Sequence, residues 1–151
     1  MTIEKWLQIH MFEFDANLYK EMAKTKKIIL VADDDADLLE LNVMALTAKG
    51  FEVLQAKDGK EAMEWLDRKS DEIDLILLDI VMPVMDGFEV LEKIKENEKF
   101  SKIPVIVASN LDSDSDREAT FALGAKDFFE KVKMNPSMVA QKVKELLEKK
   151  G

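Results

Sequence analysis

Four short stretches of this sequence join acids, a hydroxyl and an ammonium in a pattern suited to phosphoryl chemistry. Asp33-Asp34-Asp35 follows the apolar run Ile28-Ile29-Leu30-Val31-Ala32, and Asp79 follows Leu75-Ile76-Leu77-Leu78. Ser109 follows Val105-Ile106-Val107-Ala108, and Lys131 follows a run near Lys126 to Glu130. Carboxylates are hard oxygen donors for a hard cation, while an ammonium and a hydroxyl can each hold an oxygen of a phosphoryl group. Each piece alone has a plainer use. An Asp cluster ahead of a helix is ordinary capping, the role expected of Asp35, and a lone Asp, Ser or Lys at a strand end is an ordinary turn residue. The plainer uses do not account for all four pieces falling at four strand ends.

The elements that must carry these residues are legible from Lys27 onward. Short apolar runs read as strands at 28–32, 51–56, 75–78, 105–108 and 126–130, and amphipathic stretches between them read as helices. The first helix is expected over about 36–49, ended by Gly50 in a left-handed cap. The second opens on Asp58 with Glu61 three residues on and runs through Lys69. A third, about 87–97, carries Phe88, Leu91 and Ile94 at helical spacing, and a fourth, about 113–123, stops at Gly124. Asn135-Pro136 supplies an N-cap and first-turn proline for a last helix with Val139, Val143, Leu146 and Leu147 on one face. Five β-α units in about 125 residues, with continuous rather than alternating apolar strands, predict a doubly wound α/β domain with helices on both faces of a parallel sheet. The order 2-1-3-4-5 is one of two common arrangements, and it puts the ligand crevice at the C-terminal ends of strands 1 and 3.

Composition narrows the classes of function. Of 151 residues, 31 are acidic and 22 basic, a net charge of -9 that repels nucleic acids and anionic membranes, with no basic patch to override it. With no cysteine, neither a disulfide nor a thiolate metal site is available. No apolar run approaches the ~20 residues of a membrane span, and without a secretory leader the expected compartment is the cytoplasm. No internal repeat, linker or output domain is visible, so a stand-alone domain is expected.

Over Lys27 to about Lys149 the sequence resembles the response-regulator receiver family. The resemblance is carried by Ile-Ile-Leu-Val-Ala-Asp-Asp-Asp (28–35), Asp-Leu-Ile-Leu-Leu-Asp-Ile-Val-Met-Pro-Val-Met-Asp-Gly (74–87), Pro-Val-Ile-Val-Ala-Ser (104–109) and Lys-Asp-Phe-Phe-Glu-Lys (126–131). The second motif is the specific one. Receiver proteins are among the known examples of the 2-1-3-4-5 order, so the resemblance implies that order here. It implies Asp79 as acceptor of a phosphoryl group from a phosphohistidine, on a histidine kinase or a histidine phosphotransfer protein. It implies a Mg²⁺ site with Asp34 as direct ligand, Asp33 acting through water, Asp79, and the Val81 backbone carbonyl. Lys131 would pair with one phosphoryl oxygen and Ser109 would hydrogen-bond another. Ser109 and Phe128 would form a switch that remodels a protein-binding face made by helix 4, strand 5 and helix 5. Such a domain is a signalling module rather than an enzyme acting on a separate substrate.

Three positions depart from the family pattern. Val132 stands where a proline, commonly cis, follows the lysine; a trans Lys131–Val132 bond and a shifted Lys131 loop are expected, because a cis bond before a non-proline residue costs about 2.5–4 kcal/mol. Asn110 replaces a smaller residue beside Ser109. Val81 and Leu111 put apolar side chains beside the site. Ahead of the resemblance, residues 1–26 form an amphipathic extension: Ile3, Leu7, Met11, Phe14, Leu18 and Met22 follow helical spacing, with Trp6 beside the stripe. This extension packs on its own domain, or precedes a true start at Met22, or serves as a partner-binding helix or a dimerising one through residues 3–22, and its His10 is given no catalytic role. Two other readings compete. A scaffold would use the same fold without phosphorylation. A haloacid-dehalogenase-like phosphatase would use Asp33 as nucleophile, and leaves Met82-Pro83-Val84-Met85-Asp86-Gly87 unexplained.

Overall fold

A computed structural model describes residues 2–5, 26–111 and 113–149. In chain order the elements are β1 (Ile28–Ala32), α1 (Ala36–Ala48), β2 (Glu52–Ala56), α2 (Gly59–Lys69), β3 (Ile73–Leu78), α3 (Gly87–Glu96), β4 (Val105–Ser109), α4 (Asp114–Ala122), β5 (Asp127–Glu130) and α5 (Pro136–Glu148). A 3₁₀ turn, Lys131–Lys133, joins β5 to the loop before α5. Of the N-terminal stripe only Ile3 is described, and residues 3–5 are helical. The proposed dimer seam through 3–22, and His10, otherwise lie outside the described residues. No described helix is long and apolar enough to cross a membrane.

The five strands form one parallel sheet in the order β2-β1-β3-β4-β5, as expected. Continuous apolar runs make sense in such a sheet because successive side chains point to opposite faces and both faces are covered. Ile28, Leu30 and Ala32 enter a core shared with Ala62 and Leu66 of α2 and Val90, Leu91 and Ile94 of α3. Ile29 and Val31 enter a second core, shared with Leu39 and Leu46 of α1 and Val139, Ala140, Val143 and Leu147 of α5. A buried aliphatic side chain contributes about 1.5–3 kcal/mol, so these two layers set the register of β1 against β3, and with it the juxtaposition of the two strand ends.

The helix stops also follow local chemistry. Gly50 has φ +93° and Gly124 φ +101°. Around Gly50 the Gly50 N–H reaches the Thr47 carbonyl and the Phe51 N–H the Leu46 carbonyl, the paired bonds of a left-handed C-terminal cap. Asp35, Asp58, Asp86, Ser113 and Asn135 each accept a backbone N–H at a helix start. The Asp58 box differs in one respect from its usual form: Glu61 bonds back to the Lys57 N–H rather than to that of Asp58.

β3 begins two residues earlier than its apolar run. Asp74 interrupts the hydrophobic pattern, yet its carboxylate accepts the Ile28 N–H at 2.8 Å, so a polar residue is satisfied inside the strand and pins it to β1. The turn after α3 likewise buries Phe100 and Ile103 without any periodic signal.

The loop from Asp79 to Asp86 is held against the sheet by two close approaches. The Gly87 N–H donates to the Ile80 carbonyl at 2.8 Å, and a Cβ at Gly87 would lie 2.3 Å from the Asp79 carbonyl oxygen. The Gly59 N–H donates to the Met85 carbonyl at 3.1 Å, and a Cβ there would lie 2.2 Å from that oxygen. Between them the Met85 N–H reaches back to the Pro83 carbonyl at 2.7 Å around Val84, whose φ is +68°. This is a three-residue γ-turn, in its rarer and strained form, centred on a β-branched side chain. Gly87→Ala should therefore shift this loop and cost about 1–3 kcal/mol in chemical denaturation, the usual cost of forcing atoms into a packed site.

Candidate functional site

The C-terminal ends of β1 and β3 lie side by side, and backbone bonds continue the ladder beyond both strands. The Asp33 N–H donates to the Ala56 carbonyl at 3.0 Å and the Asp79 N–H to the Ala32 carbonyl at 2.9 Å. Both carboxylates are thus fixed by the sheet itself. Asp33 is 3% exposed and Asp79 5%, whereas Asp34 is exposed. One oxygen from each of the three lies within 4.8 Å of the others.

Lys131 closes the group from the end of β5. Its Nζ lies 2.8 Å from Asp33 Oδ2 and 2.9 Å from Asp79 Oδ2. The remaining Asp33 oxygen accepts the Asp35 N–H at 3.0 Å, and Asp79 Oδ1 faces the Val81 N–H at 3.4 Å. Asp35 caps α1, as expected, through the N–H groups of Asp37 and Leu38. Ser109 is fully buried at the end of β4, in register with Glu130, and its Oγ accepts the Leu111 N–H at 3.3 Å. No described peptide bond is cis, so Lys131–Val132 is trans; Lys131 opens the 3₁₀ turn and still reaches both acids, while Val132 is 81% exposed.

Burial raises the Asp79 carboxyl above its ordinary 3.8, with the negative charge of Asp33 adding to the rise, against the hydrogen bond and charge of Lys131 and the Val81 N–H. Burial by itself would lower the Lys131 ammonium. Its hydrogen bonds to Asp33 and Asp79, with the charges of both, outweigh that and raise it above its ordinary value. Three acids facing one ammonium leave an excess of negative charge. Their oxygen-only donor set, with one carboxylate open to solvent, fits a hard dication that keeps part of its water.

The sequence reading brought together Asp33, Asp34, Asp79 and Lys131, and the fold places these four in one cluster. Ser109 sits at the end of the adjacent strand. Val81 is 59% exposed at the start of the loop from Asp79 to Asp86. Phe128 is buried on the face of the sheet covered by α2 and α3, and the Arg117 guanidinium carbon lies 5.0 Å from its ring centre. Sequence reasoning missed Arg117 and its partner Glu130, because nothing in the local pattern of α4 or β5 signals their pairing.

Comparison with known proteins agrees with this architecture. The family model for the response regulator receiver domain matches residues 29–144. The response regulator GtcR of Aneurinibacillus migulanus is 32% identical over 105 residues, covering 70% of this chain and 41% of GtcR. The chain spans less than half the length of the first curated relatives it matches. The crystal structure of a CheY-like receiver domain protein from Methanospirillum hungatei superimposes with a TM-score of 0.74 at 29% identity, covering 84% of this chain and all of that one. The CheX–CheY–BeF3–Mg²⁺ complex of Borrelia burgdorferi gives 0.72 at 30% identity, covering 80% and 88%.

The raised Asp79 carboxyl has a consequence for stability. A carboxyl that ionises less readily in the folded state than in the unfolded one costs stability as pH rises through its ordinary value, 3.8, toward its raised one. Asp79→Asn removes that cost and leaves Lys131 bonded to Asp33. The variant should melt above wild type at neutral pH. The gap should close as pH falls below 3.8, which thermal melts across that range would measure.

Proposed function

The chain belongs to the response regulator receiver domain family of two-component signalling, and on that premise we propose that it accepts a phosphoryl group from a phosphohistidine onto Asp79. The observation that carries this reading is the placement of Asp79: buried at the end of β3, 2.9 Å from the Lys131 ammonium, with Asp33 and Asp34 beside it. In the step, an Asp79 oxygen attacks phosphorus in line, the P–O bond forms as the P–N bond breaks, and the histidine imidazole of the donor departs. Lys131 favours the ionised, nucleophilic form of Asp79 and then pairs with an oxygen of the transferred group as a point charge. Ser109 supplies a hydroxyl at the adjacent strand end for another oxygen. Asp33, Asp34, Asp79 and the Val81 carbonyl would hold Mg²⁺. When bound, the ion neutralises charge on the transferring group, the main need of a reaction driven by positioning and electrostatics.

Signalling would then run through a phosphorylation-dependent surface of α4, β5 and α5 toward a protein target, with a histidine kinase or phosphotransfer protein as donor. The net charge of -9 argues for protein partners rather than nucleic acid or membrane. The phosphatase alternative needs Asp33 as nucleophile, whereas the receiver family model spans residues 29–144.

Acetyl phosphate or a phosphohistidine donor with Mg²⁺ should add one phosphoryl group, located on Asp79 by mass spectrometry and absent from Asp79→Asn. A label on Asp33 would instead favour the phosphatase chemistry. The phosphorylated form should also hydrolyse slowly. Val81 and half-buried Leu111 flank the expected path of the attacking water and offer it no side-chain hydrogen bond. Val81→Asn and Leu111→Glu should release phosphate about tenfold faster or more, within the range that a positioned polar group contributes. Equal rates in wild type and variants would mean that other residues set the lifetime.

A further inference from the structure

Of all the helices around the sheet, α4 is the one least secured by apolar packing. Thr120 is its one buried residue, and Phe121 points outward at 44% exposure. Its C-terminal end is tied by the Gly124 cap and by Lys95 Nζ, which donates to the Ala122 carbonyl at 3.0 Å. Toward its start, the tie to the sheet is Arg117. The guanidinium carbon sits 5.0 Å from the centre of the Phe128 ring, and Nη2 donates to Glu130 Oε1. A cation over an aromatic face and a charge-assisted hydrogen bond are both stronger than neutral contacts. The grip is incomplete, since Arg117 Nε is buried with no hydrogen-bond partner among the described residues.

Glu130 is placed to transmit a change. It pairs in register with Ser109 and directly precedes Lys131, which holds Asp33 and Asp79. Lys133 holds its other oxygen at 3.0 Å.

We propose that Arg117 is a positioning residue that clamps α4 to β5 through Phe128 and Glu130, so that the placement of α4 is coupled to the Lys131 end of the strand. A phosphoryl group on Asp79 draws on the Lys131 ammonium and the Ser109 hydroxyl, and both flank Glu130. Their displacement works against the Arg117–Glu130 pair and loosens α4. Binding couplings are reciprocal, so weakening the clamp must favour the phosphoryl-bearing state. The clamp itself stands on the contacts described; its coupling to phosphorylation rests on the acceptor reading of Asp79.

Two measurements on the full chain test this. Hydrogen exchange of α4 amides in the unphosphorylated protein should be roughly tenfold faster in Arg117→Gln and in Glu130→Gln, the effect of losing one charge-assisted bond, while α5 exchanges as in wild type. With Mg²⁺ present, both variants should bind beryllofluoride, a phosphoryl stand-in, at least about fivefold more tightly, the low end of ordinary site-to-site coupling. Arg117→Lys keeps the charge and loses the guanidinium's fork of donors, so it should fall between wild type and Arg117→Gln in both measurements. Unchanged α4 exchange in the two Gln variants would overturn the clamp. Faster exchange with unchanged or weaker beryllofluoride affinity would overturn the coupling. A wild-type protein that binds no beryllofluoride would sink the acceptor reading and the coupling with it, and α4 exchange would still decide the clamp.

Discussion

The ammonium of Lys131 between two buried carboxylates is the interaction on which the site depends. Asp33 and Asp79 end neighbouring parallel strands, so the sheet forces two like charges together in a place with little water. An unpaired buried charge is costly, and breaking a buried pair by removing one partner ordinarily costs about 3–5 kcal/mol. Lys131 relieves the repulsion without cancelling it, since Asp34 adds a third negative charge at the solvent edge. The remaining excess suits the cluster to a dication, while burial, with the charge of Asp33 adding to it, keeps the Asp79 carboxyl above its ordinary value. Stability and reactivity are opposed at the same few atoms.

The rest of the fold keeps those atoms in place. Parallel strands buried on both faces have their register set by two apolar layers, and the bonds from Asp33 and Asp79 to the neighbouring strands extend that register into the site. Gly59 and Gly87 let the acceptor loop approach α2 and the end of β3 more closely than any side chain would allow. The loop is thereby held at both ends, and its one strained residue, Val84, faces solvent at 76% exposure.

Asymmetry in packing separates a rigid half of the molecule from a responsive one. α1, α2, α3 and α5 each bury more side chains than α4, which leans on the Arg117–Glu130 ion pair and the Arg117 guanidinium over Phe128 of β5. Regions with few buried apolar contacts open at lower free energy than the core, which makes α4 the most loosely held of the described helices around the sheet.

Much of this was legible in the sequence, because the signals are local. Continuous apolar runs between amphipathic stretches identified the strands and helices, the Gly50 and Gly124 stops held, and the residues following strands 1, 3 and 5 proved to form one cluster. The start of β3 was missed because Asp74 breaks the apolar pattern and is satisfied only by the Ile28 N–H from another strand. The strand order came from the family resemblance together with the common doubly wound arrangement, since periodicity alone does not say which strands are neighbours. By itself the sequence determined which residues stand at strand ends and what chemistry they can offer, because hydrophobic period and turn chemistry act over a few residues. Tertiary structure alone decided that Lys131 bonds both Asp33 and Asp79, that Asn42 is buried with an oxygen that has no partner among the described residues, and that Arg117 grips Phe128 and Glu130. Those contacts depend on the packing of elements distant in the chain, and no residue's immediate neighbours encode them.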